Sequence, residues 1–176
     1  MWRQGIRFAI TNNKNFREKN MNKNTRNALK WIVNILQENN IPFFISGGLA
    51  ARIYGSERSL YDIDIEVPEK YISMLQPLVK NYVIYGPKKY KDETFDLWLM
   101  TLKYEDQEID IGGIGTGKLF NKKTNQWEDD IVDFSRAVKK EVFGIEVPVI
   151  NKEDLIEYKN KIRRSTDLQD IEAIKN

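Results

Sequence analysis

Asp62 and Asp64 lie two positions apart on an apolar segment, and a double glycine precedes them at a spacing suited to phosphate chemistry. Side chains alternate along a strand, so both carboxylates share one face, where they repel each other unless a cation lies between them. Hard divalent cations prefer such oxygen ligands. Gly47 and Gly48 end a short apolar run at a predicted strand-to-helix turn, where the backbone can approach a phosphate that the helix N-terminus attracts. The pattern therefore indicates chemistry on a nucleoside triphosphate.

Further acidic residues are candidates for a third carboxylate. Glu108 and Asp110 share one face of a later predicted strand, and either could complete the site. Glu66 continues the face of Asp62 and Asp64 but lies just before a proline, so we expect it at the surface. A hydrogen-bonded surface role for these acids is the alternative.

The absence of cysteine and histidine limits the available chemistry. Without cysteine the chain has no disulfide framework, no thiolate nucleophile and no sulfur-ligated zinc site. Without histidine it lacks the usual general base and the commonest transition-metal ligand. Any metal must therefore be held by oxygen, which favours magnesium, manganese or calcium.

Charge is unevenly distributed along the 176 residues. Residues 1–24 hold six basic residues and one acidic residue, and we predict a disordered basic leader there, with a transit peptide or a natural start at Met21 as alternatives. The remainder has a slight acidic excess and is predicted to be one domain, 25–176. It shows no clustered basic charge, so we expect no broad nucleic-acid surface. No apolar run approaches the ~20 residues of a membrane span. We therefore expect no association with a membrane and a cytoplasmic location.

Strands mixed with helices predict an α+β fold in which helices pack on a mixed sheet. Thr25 is expected to cap the first helix, whose apolar residues recur at helical spacing. The predicted strands and hairpins are 43–46, 61–67, 82–85, 94–103 paired with 108–112, and 138–142 paired with 145–147. Two helices are predicted after residue 150. The segment Gly112–Lys118 nearly matches a P-loop, but Leu119 replaces the required Ser or Thr. We expect a glycine-rich connection or a flexible loop beside the site.

The motifs resemble the signature of the polymerase-beta-like nucleotidyltransferase superfamily. The resemblance rests on Gly47-Gly48 followed by Asp62-Ile63-Asp64, and continues through Gln107–Ile111 and the C-terminal helices. The members that the chain resembles are small stand-alone proteins, of the antibiotic type or associated with toxin–antitoxin pairs. One departure is Gly48, where many members have serine.

The resemblance implies a nucleotidyltransferase that uses magnesium or manganese. In that family's pattern Asp62, Asp64 and Asp110 bind two metals, with Asp110 as base or metal bridge, and a nucleoside monophosphate moves from a triphosphate to an acceptor hydroxyl. The implied nucleotide-binding residues are Ser46, Gly47, Gly48, Arg58, Ser59 and Lys159. Arg58 could instead form a surface salt bridge, and Lys159 could pair with Glu157 or Asp167.

Two other function classes remain open from the sequence. One is a non-catalytic nucleotide-binding or regulatory module of a toxin–antitoxin or defence pair. The other is a structural α+β domain with incidental aspartates. The acceptor, whether a small molecule, a protein or a tRNA, and the oligomeric state are also open.

Overall fold

Eight strands form one mixed sheet in the computed structural model, which describes residues 21–175. The strands are β1 Phe44–Ile45, β2 Asp62–Pro68, β3 Val83–Lys91, β4 Phe95–Tyr104, β5 Gln107–Asn121, β6 Gln126–Asp129, β7 Val138–Val142 and β8 Ile145–Val149. The sheet order is β3-β4-β5-β2-β1-β8-β7, and β6 pairs with β5. The helices are α1 Lys23–Glu38, α2 Gly47–Tyr54, α3 Ile72–Val79, α4 Lys152–Ile162 and α5 Ser165–Lys175. The predicted α+β fold with a mixed sheet is confirmed.

The two central strands β2 and β5 run parallel, although their connection passes through α3, β3 and β4. Ile63, Ile65, Ile109 and Ile111 alternate along them and are completely buried. These residues anchor one face of the sheet in the core, so the intervening side chains point to the opposite face.

Helix α1 begins earlier than predicted. Asn22 is its N-cap, and the Asn22 side chain accepts a hydrogen bond of 3.0 Å from the backbone N–H of Asn24. Thr25 lies inside the helix instead, buried, where its hydroxyl donates to Gln107 Oε1 at 2.5 Å. The expected cap at Thr25 is therefore wrong, because that hydroxyl is used in a tertiary contact. The predicted leader lies outside the described residues, except for its last four.

The glycine-rich segment 112–118 is part of β5 rather than a loop. Between the pairs Asp96–Lys118 and Trp98–Gly113 lies a bulge in which four residues of β5, 114–117, stand opposite one residue of β4, Leu97. The expectation of a connecting loop is wrong because the segment pairs with β4 and then β6 on its way out of the core. No helix within residues 21–175 is long and apolar enough to cross a membrane.

Candidate active site

Three aspartates from the two central strands meet on one face of the sheet. Asp62 and Asp64 lie on β2, and Asp110 lies on β5 directly opposite Asp64 in the parallel register. One oxygen from each carboxylate lies within 4.8 Å of the other two. The prediction that Asp62 and Asp64 share one face of their strand is confirmed, and the parallel register brings Asp110 to the same face.

The double glycine holds one of these aspartates in place. The backbone N–H of Gly48, in the first turn of α2, donates to Asp64 Oδ2 at 3.2 Å. Gly47 has a φ of +55°, and a Cβ built on it would lie 1.8 Å from the same oxygen. Only a residue without a side chain fits there. The glycine turn and the carboxylates that could bind a metal ion therefore form one structural unit.

Burial and neighbouring charges alter the pKa values of Asp64 and Asp110. Burial, followed by the charge of Asp62, raises the pKa of Asp64 to about 6. Burial also raises the pKa of Asp110, although the Thr101 hydroxyl opposes this shift by donating to Asp110 Oδ1 at 2.6 Å. Both shifts reflect chiefly the cost of burying a charged carboxylate, and the charges of neighbouring carboxylates add to it.

Glu66 is not the surface residue that its sequence position suggested. Its Oε1 accepts a hydrogen bond of 3.0 Å from the Ser46 hydroxyl, whereas Oε2 is buried and has no hydrogen-bond partner among the described residues. Burial, and then the charge of Asp130, raises the pKa of Glu66 to about 8. The prediction failed because Gly112 lacks a side chain: a Cβ there would lie 2.2 Å from Glu66 Oε2. The space over β5 therefore admits the carboxylate.

The aspartates open into a cavity of about 290 Å³. Its lining includes both Ser46 and Gly47 and the side chains of the long hairpin β3–β4. Acidic residues dominate its charge: Asp62, Asp64, Glu66, Asp92 and Asp110. Among its lining residues from the described part of the chain, Arg164 is the one cation.

Two of the sequence candidates, Arg58 and Ser59, do not line this cavity. Arg58 pairs with Asp170 at 2.9 Å, and a Cβ on Gly48 would lie 2.6 Å from its Nη2. Arg58 therefore supports the turn from behind, and the salt-bridge alternative describes its contact, although the partner is buried. Ser59 is exposed and lines a separate cavity with Arg52 and Leu60.

Lys159 lies beneath the site rather than in it. Its side chain is 1% exposed, and its ammonium pairs with Asp167 at 3.0 Å and with Asp170 at 2.9 Å. The Asp167 alternative from the sequence is the contact that the structure shows. Because this ammonium is buried, Lys159 has no exposed donor for the nucleotide contact that the sequence suggested.

Arg164 was not identified from the sequence. It lies between α4 and α5, and its neighbour Arg163 adopts the left-handed conformation that ends α4. The one sequence signal was its position three residues before Asp167, to which its side chain binds. That contact brings a cation from the C-terminal helices to the acidic cavity.

The donor set fits a divalent metal ion. Three carboxylates converge, none of them forms an ion pair within residues 21–175, and the chain offers no thiolate or imidazole ligand. Oxygen ligands of this kind suit magnesium or manganese. Asp62, Asp64 and Asp110 are the residues that would hold such an ion.

Comparisons with known proteins identify the fold. No protein-family model and no curated protein matches the sequence. A candidate nucleotidyltransferase from Thermotoga maritima is 18% identical, with a TM-score of 0.67 over 83% of this chain and 89% of that chain. The lincosamide antibiotic adenylyltransferase LnuA, solved with lincomycin bound, is 16% identical, with a TM-score of 0.56 over 84% of this chain and 94% of that chain. The antibiotic-resistance factor ANT(2'')-Ia is 16% identical, with a TM-score of 0.58 over 88% of this chain and 83% of that chain. The chain therefore has the nucleotidyltransferase fold, as its motifs predicted.

Proposed function

We propose that this protein is a magnesium-dependent nucleotidyltransferase that moves a nucleoside monophosphate from a nucleoside triphosphate to an acceptor hydroxyl. The observation that supports this most directly is the convergence of Asp62, Asp64 and Asp110 beside the glycine turn. A structural domain has no need of three converging carboxylates that form no ion pair with the rest of the described chain. The fold shared with two antibiotic-modifying proteins agrees with this proposal.

The three aspartates have different roles in the proposed reaction. A bound divalent ion would neutralise charge on the triphosphate and lower the pKa of the acceptor hydroxyl. Asp62 and Asp64 would hold it, with Asp110 completing its site, and the Gly48 N–H keeps Asp64 oriented. Asp110 would receive the proton of the acceptor hydroxyl as the new bond to the α-phosphorus forms and the bond to pyrophosphate breaks. Thr101 would keep Asp110 turned toward the cavity through its 2.6 Å hydrogen bond.

The triphosphate would lie across the first turn of α2. That turn carries backbone N–H groups that the helix itself does not satisfy, and the positive end of the helix dipole. Ser46, Gly47 and Gly48 would contact it, with Arg58 supporting the turn from behind. We place the reaction in the cytoplasm, where triphosphates and magnesium are available. Ser59 and Lys159 do not contact the nucleotide in this proposal.

A transfer assay with labelled triphosphates tests the function. Each of four triphosphates, labelled at the α-phosphate, is incubated with the protein, magnesium and either cell extract, lincomycin or tobramycin. We expect a labelled product that requires magnesium and is absent with Asp62→Asn. Binding of triphosphate without any transfer, in every mixture, would contradict the enzyme and favour the nucleotide-binding module. Absence of binding would contradict both.

A further inference from the structure

Arg164 combines an anchored base with an open tip. It lines the cavity of the three aspartates, and its side chain is 49% exposed. Asp167 accepts three hydrogen bonds from it: from the backbone N–H at 3.1 Å, from Nε at 2.8 Å and from Nη2 at 3.3 Å. The guanidinium also lies over the ring of Phe95, 5.7 Å from its centroid. The side chain is therefore held from two sides while its tip faces the cavity.

Asp167 is itself fixed from below. Its side chain is completely buried and pairs with Lys159, which also pairs with Asp170. Three ionised groups in contact inside a protein are stabilised only when their geometry is kept. This buried network ties α4 to α5 and gives Arg164 a rigid support.

Several donors of Arg164 remain free for a ligand. A guanidinium has five N–H groups in a fixed plane, and Asp167 takes one from Nε and one from Nη2. Nη1 makes no hydrogen bond to any described residue. About three N–H groups are thus directed away from Asp167, in the planar arrangement that suits two oxygens of a phosphate.

The charge of the cavity indicates which ligand needs this group. Five carboxylates line it against one cation. A triphosphate is strongly anionic, and a divalent ion between the aspartates would reach only some of its phosphate oxygens. The others need a positive donor on the remaining wall.

We infer that Arg164 binds the phosphates of the nucleoside triphosphate, and that Asp167 and Lys159 are positioning residues that aim it. This inference rests on the proposed function. It transfers to Arg164 the contact that the sequence pattern assigned to Lys159, and it gives that buried lysine a different task.

Binding of inorganic tripolyphosphate in the presence of magnesium tests Arg164 without requiring the correct base or acceptor. Calorimetry is performed on wild type, Arg164→Gln and the matched control Arg163→Gln. Arg163 adjoins it in sequence but does not line the cavity. We expect Arg164→Gln to weaken tripolyphosphate binding about 10-fold or more, as for a lost charge-assisted hydrogen bond, and Arg163→Gln to change it less than about 2-fold. Manganese binding without phosphate should be unchanged in both.

The positioning role of Asp167 is tested by a double-mutant cycle. Asp167→Asn should weaken tripolyphosphate binding in wild type but add little in the Arg164→Gln background, because it acts through that side chain. A merely structural role would give the same loss in both backgrounds, which would overturn the positioning claim. Melting temperatures and manganese binding verify that the variants are folded.

The two proposals fail in different ways. If wild type binds tripolyphosphate and Arg164→Gln binds it equally well, the assignment of Arg164 is wrong and the proposed function stands. If wild type binds manganese but neither tripolyphosphate nor any nucleoside triphosphate, the proposed function itself is wrong.

Discussion

Gly47 shows how a single missing side chain shapes the candidate site. Its φ of +55° is a conformation that other residues adopt only with strain, and its α-carbon lies against the carboxylate of Asp64. Gly47 therefore leaves room for Asp64, the candidate metal ligand, as well as for any phosphate. A side chain here would disturb two things, the turn and the aspartate.

Replacing Gly47 with alanine should weaken manganese binding by about 10–100-fold, the range for losing the orientation of a metal ligand. Gly144 is the matched control, since its φ is +79° but a Cβ there would meet nothing within 4 Å. Gly144→Ala should lower the melting temperature through backbone strain and leave manganese affinity unchanged. Equal manganese affinity in both variants would show that Asp64 does not depend on the turn. Calorimetry and thermal melts measure the two effects.

Glu66 makes the stability of the metal-free protein depend on pH. Its pKa rises from 4.5 to about 8 on folding, chiefly through burial. The folded protein thus keeps a proton that the unfolded chain releases, so this group stabilises the fold at low pH and the contribution is lost as pH rises toward 8.

Glu66→Gln should therefore raise the melting temperature at pH 8, since a neutral amide replaces a buried group that is partly ionised there. At pH 4.5 the protonated acid and the amide are alike, and the two proteins should melt together. In a chain of this size, each kcal/mol added to the free energy of unfolding raises the melting temperature by ~2–4 °C. We expect Glu66→Gln to raise it by at least this amount at pH 8. The control is the exposed Glu93, whose change to glutamine should leave the pH profile as in wild type. Parallel profiles for wild type and Glu66→Gln would contradict the burial argument.

At the level of elements, the parallel pairing of β2 with β5 determines which acid completes the site. Asp110 lies opposite Asp64, whereas Glu108 lies opposite Asp62 and is exposed. The two acids share a strand face but differ in their environment. Asp110 lies inside the cavity and accepts a hydrogen bond from Thr101. Of the two, Asp110 is therefore the one to which we assign the proposed role of base.

Asp110→Asn should retain tripolyphosphate binding and lower nucleotide transfer by ~10²-fold or more, the range for a lost general base. Glu108→Gln should have a much smaller effect on transfer. The comparison is made in the labelled transfer assay, with slow transfer to water as a substitute for an unknown acceptor. A dead Glu108→Gln beside an active Asp110→Asn would reverse the assignment.

Local patterns predicted the elements that carry the aspartates. The glycine pair, the alternation around Asp64 and the turns of the two hairpins are signals within a few residues. Glu66 and Arg164 were missed for a different reason. The place of Glu66 depends on the missing side chain of Gly112 on another strand. That of Arg164 combines its local contact with Asp167 with the ring of Phe95 across the cavity. Contacts between residues far apart in sequence decide them, and no periodicity reports such contacts.

For the whole molecule, the first turn of α1 is where the described fold begins. Met21 packs against the core, and Asn22 caps the helix. The predicted boundary at Thr25 would remove both. The fold thus needs a few residues that composition alone assigned to the leader.

A protein truncated to begin at Met21 should melt within a degree or two of the full chain. One truncated to begin at Thr25 should melt lower, because it loses the cap, typically worth ~1 kcal/mol, and the contacts of Met21. Thermal denaturation of both truncations checks this. A large loss in the Met21 form would mean that residues 1–20 stabilise the domain, and equal melting in both forms would mean that the cap contributes nothing.

The pairing of β2 with β5 also has a consequence for folding kinetics. The hairpins β4–β5 and β7–β8 are local, whereas β2 pairs with β5 across the sequence of α3, β3 and β4. Contacts between residues so far apart in sequence are expected to form later in folding. A cation held by Asp62, Asp64 and Asp110 would link the two strands and must be released before they separate.

At manganese concentrations near 100 times the dissociation constant, the folded state gains ~2.7 kcal/mol. If the site forms after the transition state, this gain appears as unfolding that is about 100-fold slower, with the folding rate unchanged. Stopped-flow unfolding in guanidinium with and without manganese would measure it, and the Asp64→Asn variant should lose the effect.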